Sequence, residues 1–137
     1  MVRIVRQTLE ALLAQDYWNF ERIISDNAST DGTELICNEF SARDSLIRFY
    51  RNKTNLVPSA NFRRVYDLAR GQYFMWAGDH DLWHSNYVSA CINELETDTG
   101  IGNAYSRTLL IDIKENPIKI MNDQIDTRGL KPLDRFR

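Results

Sequence analysis

Cysteine is scarce: Cys37 and Cys91 are the two in 137 residues, too few for a disulfide framework. Both sit in apolar helical patterns and read as buried free thiols of a reducing compartment. No apolar run approaches the about 20 residues that span a bilayer. The opening stretch, Met1 to Gln7, lacks the apolar core of a signal peptide. An excess of one charge is also missing, since 17 Lys+Arg stand against 19 Asp+Glu for a net −2. That balance implies no polyanion partner and leaves nucleic-acid binding without its usual electrostatic support. Repeats and low-complexity tracts are absent. What is present is an ordinary globular composition, 43% hydrophobic and 26% charged, at a length that favours one domain. A chain of this size buries roughly two-thirds of its unfolded surface, enough for a real core.

Helix and strand patterns alternate along the chain. Val5, Leu9, Leu12 and Leu13 recur at helical spacing and predict a helix over Val2 to Ala14. Phe20 to Ser25 reads as a short strand, followed by a turn-rich stretch from Asp26 to Gly32. Asp31 with Glu34 fits a capping box, opening a helix to Phe40 with Leu35, Ile36 and Phe40 inward. Ile47 to Arg51 predicts a second strand. Ser59 to Arg70 predicts a helix with Val65, Leu68 and Ala69 on one face and Gly71 as its C-terminal cap. Gln72 to Ala77 reads as an aromatic-rich strand buried on both faces, with Trp76 in the core. Ser85 opens another helix, with Val88, Cys91, Ile92 and Leu95 facing inward. Asn103 to Ile113 reads as a strand, turned at 114–117 into a hairpin with Ile118 to Met121. Residues 122–137 read as a polar tail, or as the start of a further half. Strands alternating with helices imply βαβ crossovers and a mostly parallel sheet with flanking helices, an α/β fold. Such sheets bind ligands at the C-terminal ends of their strands.

Two polar clusters fall at such ends. Gly78-Asp79-His80-Asp81 sets two carboxylates at i and i+2, where a tight turn aims both one way. Their oxygens suit Mg²⁺ or Mn²⁺ that also holds phosphate, and His80 as a nitrogen ligand tilts the choice toward Mn²⁺. A plain turn built from Asp and Gly is the competing and commoner reading. In the other cluster, Asp26 and Asn27 are candidates for the edge of a nucleobase, Asn27 offering both donor and acceptor. Asp31 is more simply a helix cap. Arg63 and Arg64 suit a diphosphate, although either alone is more ordinarily part of a solvated helix face. Trp83 is a candidate for stacking on a sugar or base, and His84 for the surface.

The run from Leu12 to Tyr17, then Phe20 to Thr33, resembles the family-two glycosyltransferases of the GT-A fold. The resemblance continues through Ile47 to Asn52, Asn55, Asn61, Ala69 to Phe74 and Gly78 to Trp83, and fades after Ile113. It implies a Rossmann-like nucleotide-sugar-binding half over residues 1–121. It also implies inverting transfer of a sugar, of the hexosyltransferase type, from a nucleotide diphosphate sugar to an acceptor hydroxyl. By that resemblance Asp79 and Asp81 hold a divalent cation, Mn²⁺ or Mg²⁺, on the diphosphate, while Asp26 and Asn27 hold base and ribose. Four departures stand out. The family's first strand is missing before Val2, Val57 stands where a glycine is common, His80 stands where the family often has a third acidic residue, and Ser85 stands where a proline is usual. The family's catalytic base lies beyond this stretch, so none is assigned. The expectation is a glycosyltransferase truncated at both ends, cytoplasmic or at a membrane surface, with homo-oligomers filling the unfilled sheet. The alternative is a remnant that binds nucleotide or metal, or a partner, without turnover. A nucleotidyltransferase is a weaker alternative, because no Gly-rich basic phosphate loop is visible.

Overall fold

The computed structural model describes residues 2–121; the tail expected at 122–137 lies outside the described residues. The chain divides into two compact units, Met1–Asn86 and Tyr87–Arg137. In the first, helix α1 spans Val2–Leu13, strand β1 Arg22–Asp26, helix α2 Thr33–Arg43, strand β2 Ile47–Arg51 and helix α3 Pro58–Leu68. β1 and β2 run parallel, with Arg22 opposite Ile47 and Asp26 opposite Arg51. The parallel pair places the loops after both strands at one end, 26–32 beside 52–57.

The core of this unit follows the apolar periodicity. Val5 and Leu9 of α1, Ile36 and Phe40 of α2, and Ile47 of β2 are buried together, with Val2, Leu13 and Ile24 against them. Phe40 is fully buried and Cys37 is 1% exposed. Leu35, expected inward, is 76% exposed. Ile36, Cys37 and Phe40 occupy the face of α2 that meets the core, and Leu35 stands off it by the helical turn angle. The capping box also differs. Gly32 is the N-cap and makes no side-chain cap bond. Asp31 accepts from the Thr33 backbone N at 3.1 Å and from its Oγ1 at 2.6 Å. Glu34 turns instead to Arg51, 3.2 Å from its Nε.

α3 begins at Pro58, whose fixed φ suits a first helical position, and ends in an extended Ala69 rather than at a glycine. The largest departure follows. Residues 72–77 form no strand. Trp76 is 53% exposed, outside the core. Among the described residues β1 and β2 pair only with each other, so residues 72–77 have no ladder partner. Their side chains gather on α3 instead. Phe74 meets Trp76 edge-on at 4.8 Å and Tyr66 at 5.4 Å, and Phe62 meets Trp76 at 6.4 Å.

In the second unit α4 spans Tyr87–Thr97, and strands β3, Thr108–Ile111, and β4, Pro117–Met121, form an antiparallel hairpin. On α4, Val88 is buried and Cys91, Ile92 and Leu95 are half-buried, on the face expected. Asp112 builds the hairpin turn, accepting from the backbone N of Lys114 at 2.7 Å and of Asn116 at 2.9 Å. Glu115 supplies the left-handed residue at φ 67°.

Candidate functional site

β1 ends in Asp26, whose carboxylate is buried, with the side chain 1% exposed. Oδ2 accepts from Arg51 Nε at 2.9 Å, and Oδ1 accepts from the Ser29 backbone N at 3.0 Å. Arg51 Nη2 also donates to the Ser29 carbonyl at 2.8 Å. Asp26 and Arg51 face each other across the parallel register, so this ion pair closes the loop after β1 on itself. A buried carboxylate needs such partners. Both oxygens of Asp26 are therefore engaged inside the loop.

Asn27 is engaged as fully. Its Oδ1 accepts from the Leu56 backbone N and from Asn52 Nδ2, each at 2.9 Å. Its Nδ2 donates to Asn55 Oδ1 at 2.8 Å and to the Leu56 carbonyl at 2.7 Å. One amide thus binds the loop after β1 to the loop after β2. Ala28 follows in the left-handed region, at φ 61°.

Asn52, 3% exposed, stands behind Asn27 at the end of β2. Its backbone N donates to the Asp26 carbonyl at 2.9 Å. Its Nδ2 also donates to Asn61 Oδ1 of α3 at 2.9 Å. Its Oδ1 accepts from Arg64 Nη1 in a short contact. Asn61 returns to β1, taking Ser25 Oγ at 2.7 Å and donating to the Ser25 carbonyl at 3.1 Å. Arg64 is half-buried and lies over the Tyr50 ring at 5.7 Å. Arg63 is engaged along its own helix: its Nε donates to Asp67 Oδ1 at 2.7 Å on the exposed side of α3. The structure thus ties Arg64, and not Arg63, to the two loops.

The acidic loop is exposed. His80 Nδ1 lies 2.8 Å from Asp79 Oδ1. That hydrogen bond, with the Asp81 charge, raises the His80 pKa above its usual value. The Asp81 carboxylate turns onto Gly78, where an added Cβ would stand 2.6 Å from Oδ2, so only glycine fits that position without a shift. Its carbonyl is held from behind by α1. Thr8 Oγ1, on a residue 4% exposed, donates to it at 2.9 Å. Gln15 Nε2 donates to the His84 carbonyl at 2.8 Å, and the Asp16 N donates to the Ser85 carbonyl at 2.8 Å. α1 and the turn after it therefore hold the segment 81–85. Trp83 is half-buried there, and His84 is exposed, as expected. Among the described residues no group of three His, Cys, Asp or Glu side chains converges on one point. Asp79, His80 and Asp81 are neighbours without forming a closed cage. Such a donor set fits a hard cation that brings phosphate oxygens and waters of its own.

Asn52, Arg51 and Thr8 carry no role in the sequence reading. A signal for the first was present, three asparagines at 52, 55 and 61 around the end of a strand.

A parallel strand–helix–strand unit with polar loops gathered at its C-terminal edge is the architecture of doubly wound α/β ligand-binding domains. The chain belongs to glycosyl transferase family 2, whose model matches residues 3–128. Its α/β architecture is that of a Rossmann-like GT-A half. It is 36% identical over 81 residues to the protein EpsE of Bacillus subtilis, covering 58% of this chain and 29% of that one. It is 29% identical over 105 residues to the glycosyltransferase GlyG of Streptococcus pneumoniae, covering 73% of this chain and 34% of that one. It is also 32% identical over 91 residues to WfaP of Escherichia coli, covering 66% of this chain and 36% of that one. WfaP is named as a UDP-Glc:α-D-GlcNAc-diphosphoundecaprenol β-1,3-glucosyltransferase. The matched stretch is thus about a third or less of each of these relatives. Among the described residues no helix is long and apolar enough to cross a membrane.

Proposed function

We propose that this chain is the nucleotide-sugar side of a glycosyltransferase that moves a sugar from a nucleotide diphosphate sugar to an acceptor hydroxyl. The observation that carries the reading is the joining of loops 26–32 and 52–57 at one sheet end, with Arg64 tied to both through Asn52. The base and ribose sit against the loop after β1, and Arg64 turns its remaining guanidinium donors toward the diphosphate. Because Asp26 and Asn27 already spend their side-chain polar atoms within the loops, they shape this surface more than they contact the base. Asp79 and Asp81 hold a divalent cation, Mn²⁺ or Mg²⁺, against the diphosphate, with His80 beside them. Bound there, the cation supplies charge neutralisation for the departing diphosphate. Thr8 fixes the backbone from which Asp81 projects. The whole enzyme's activity places the protein where nucleotide sugars are made, in the cytoplasm or at a membrane surface.

A second reading has one observation in its favour. The internal engagement of Asp26 and Asn27 also suits a module that keeps the fold and binds nucleotide, or a partner, without turnover. Thermal-shift titration with UDP, GDP, dTDP and CDP, each with and without Mn²⁺, tests both. Ligand at about a hundred times its dissociation constant adds roughly 2.7 kcal/mol, several degrees for a domain of this size. A metal-dependent shift with one nucleotide supports a donor site and names its base. No shift with any nucleotide removes the proposal. Turnover against a panel of acceptors then separates enzyme from binding module.

A further inference from the structure

Asn52 makes three side-chain hydrogen bonds to two segments: Asn27 after β1, and Asn61 and Arg64 on α3. Each partner amide has its orientation fixed by a backbone group. Leu56, with both its N–H and its carbonyl, fixes Asn27. The Ser25 carbonyl fixes Asn61. Arg64, which only donates, fixes Asn52 with its oxygen toward the guanidinium and its NH₂ toward Asn27 and Asn61. The chain of amides therefore has one polarity from end to end. Turning Asn52 sets its oxygen against the oxygens of Asn27 and Asn61, and turning either of those sets NH₂ against the NH₂ of Asn52. At 3% exposure, Asn52 is shielded from solvent, so a lost partner is costly.

From this we infer that Asn52 is a positioning residue that couples the base side of the site, through Asn27, to the phosphate side, through Arg64. The inference rests on the nucleotide-sugar reading above and adds that its two sides act as one unit. Ordering Arg64 against a diphosphate fixes Asn52, and Asn52 fixes the amide that clamps the loop carrying the base. A nucleoside, which leaves Arg64 unengaged, receives less of this help than the corresponding diphosphate.

The test is a double-mutant cycle on nucleotide affinity, read by calorimetry with whichever of UDP, GDP, dTDP and CDP binds the unaltered chain. Asn27→Ala and Arg64→Ala are made singly and together, in the natural background and in Asn52→Ala. The expected result in the natural background is strong non-additivity. The double variant loses at least fivefold less affinity than the product of the two single losses, within the range for residues of one network. In the Asn52→Ala background the two losses multiply. A merely structural Asn52 would lower the melting temperature and leave the coupling as it was, and that result overturns the inference. So do losses that multiply already in the natural background. If Asn52→Ala does not fold, Asn52→Asp keeps the volume and the Arg64 contact but offers Asn27 no donor, and it too is expected to abolish the coupling. A natural chain that binds none of the four nucleotides overturns this inference and the proposed function together. Binding with additive variants overturns the coupling alone.

Discussion

The residues of the candidate site divide by what they already hold. Asn27 satisfies both loops with one amide. Its replacement by alanine leaves the Leu56 N–H and carbonyl and the Asn52 amide short of partners. Asn27→Ala is expected to lower stability by about 1–3 kcal/mol and to weaken nucleotide binding. Urea denaturation measures the first effect and calorimetry the second; unchanged stability would mean that the loops are held by other contacts. Ala28, at φ 61°, tolerates its backbone because its side chain is one methyl. Cys37 is a buried thiol whose pKa desolvation, with the Asp26 charge, pushes up to about 11. Burial likewise pushes Cys91 up. At pH 8 the native chain should therefore react slowly with a thiol reagent such as dithionitrobenzoate, and both thiols should react at once in urea. Fast labelling of Cys37 in the native chain would contradict the packing of α2 against the core.

Elements set what the loops can do. α1 supports the acidic loop through Thr8, a side chain buried enough that its hydroxyl needs the Asp81 carbonyl. Thr8→Val keeps the shape and removes the donor. It should cost about 1 kcal/mol of stability and weaken Mn²⁺-dependent nucleotide binding more than metal-free binding. Equal loss in both conditions would separate α1 from the cation side. The bottom of the same unit is held by Glu21, whose Oε2 accepts from Arg48 Nη1 at 2.5 Å and Oε1 from the Arg70 backbone N at 2.6 Å. Burial alone raises the Glu21 pKa, but the Arg70 amide and Arg48 outweigh it, and the net shift is downward from 4.5. A carboxylate with a lowered folded pKa contributes stability that is full above its unfolded value and is lost as pH falls through the folded one. Stability should therefore decline below about pH 4.5, and Glu21→Gln should flatten that decline. Denaturation midpoints between pH 3 and 7 for both proteins measure it; parallel curves would assign the acid loss to other groups.

At the scale of the whole molecule, the carboxylates at 79 and 81 are the part furthest from a finished site. They lie on an exposed turn whose Asp81 carbonyl is held by α1 and whose Asp81 carboxylate lies close over Gly78. Asp81→Ala is expected to abolish the Mn²⁺-dependent part of nucleotide binding while leaving the melting temperature nearly unchanged, since the carboxylate is exposed and Thr8 bonds to the backbone. Unaltered metal dependence would remove Asp81 as a ligand.

The amino-acid sequence alone marks the elements whose signal is local. The helical spacing of Val5, Leu9 and Leu13 marked α1, the alternation in Ile47 to Arg51 marked β2 with its bounds, and the turn at 114–117 marked the hairpin. It also determined the family, because the residues of two loops recur in a fixed order along the chain. Tertiary structure alone decided three things. Residues 72–77 have the composition of a strand, yet a strand exists only where a neighbour takes its backbone groups, and here those side chains gather on α3. Asp26 reads in the sequence as a candidate for the base, and only the fold pairs its carboxylate with Arg51 across the parallel register. The asparagines at 52, 55 and 61 mark the neighbourhood of Asn52 in the sequence, but not its role. That role comes from burial among Asn27, Asn61 and Arg64, residues 9 to 25 positions away that only the βαβ crossover and the start of α3 bring into hydrogen-bonding range. Periodicity records which face of an element turns inward; which polar groups meet there is a property of the folded chain.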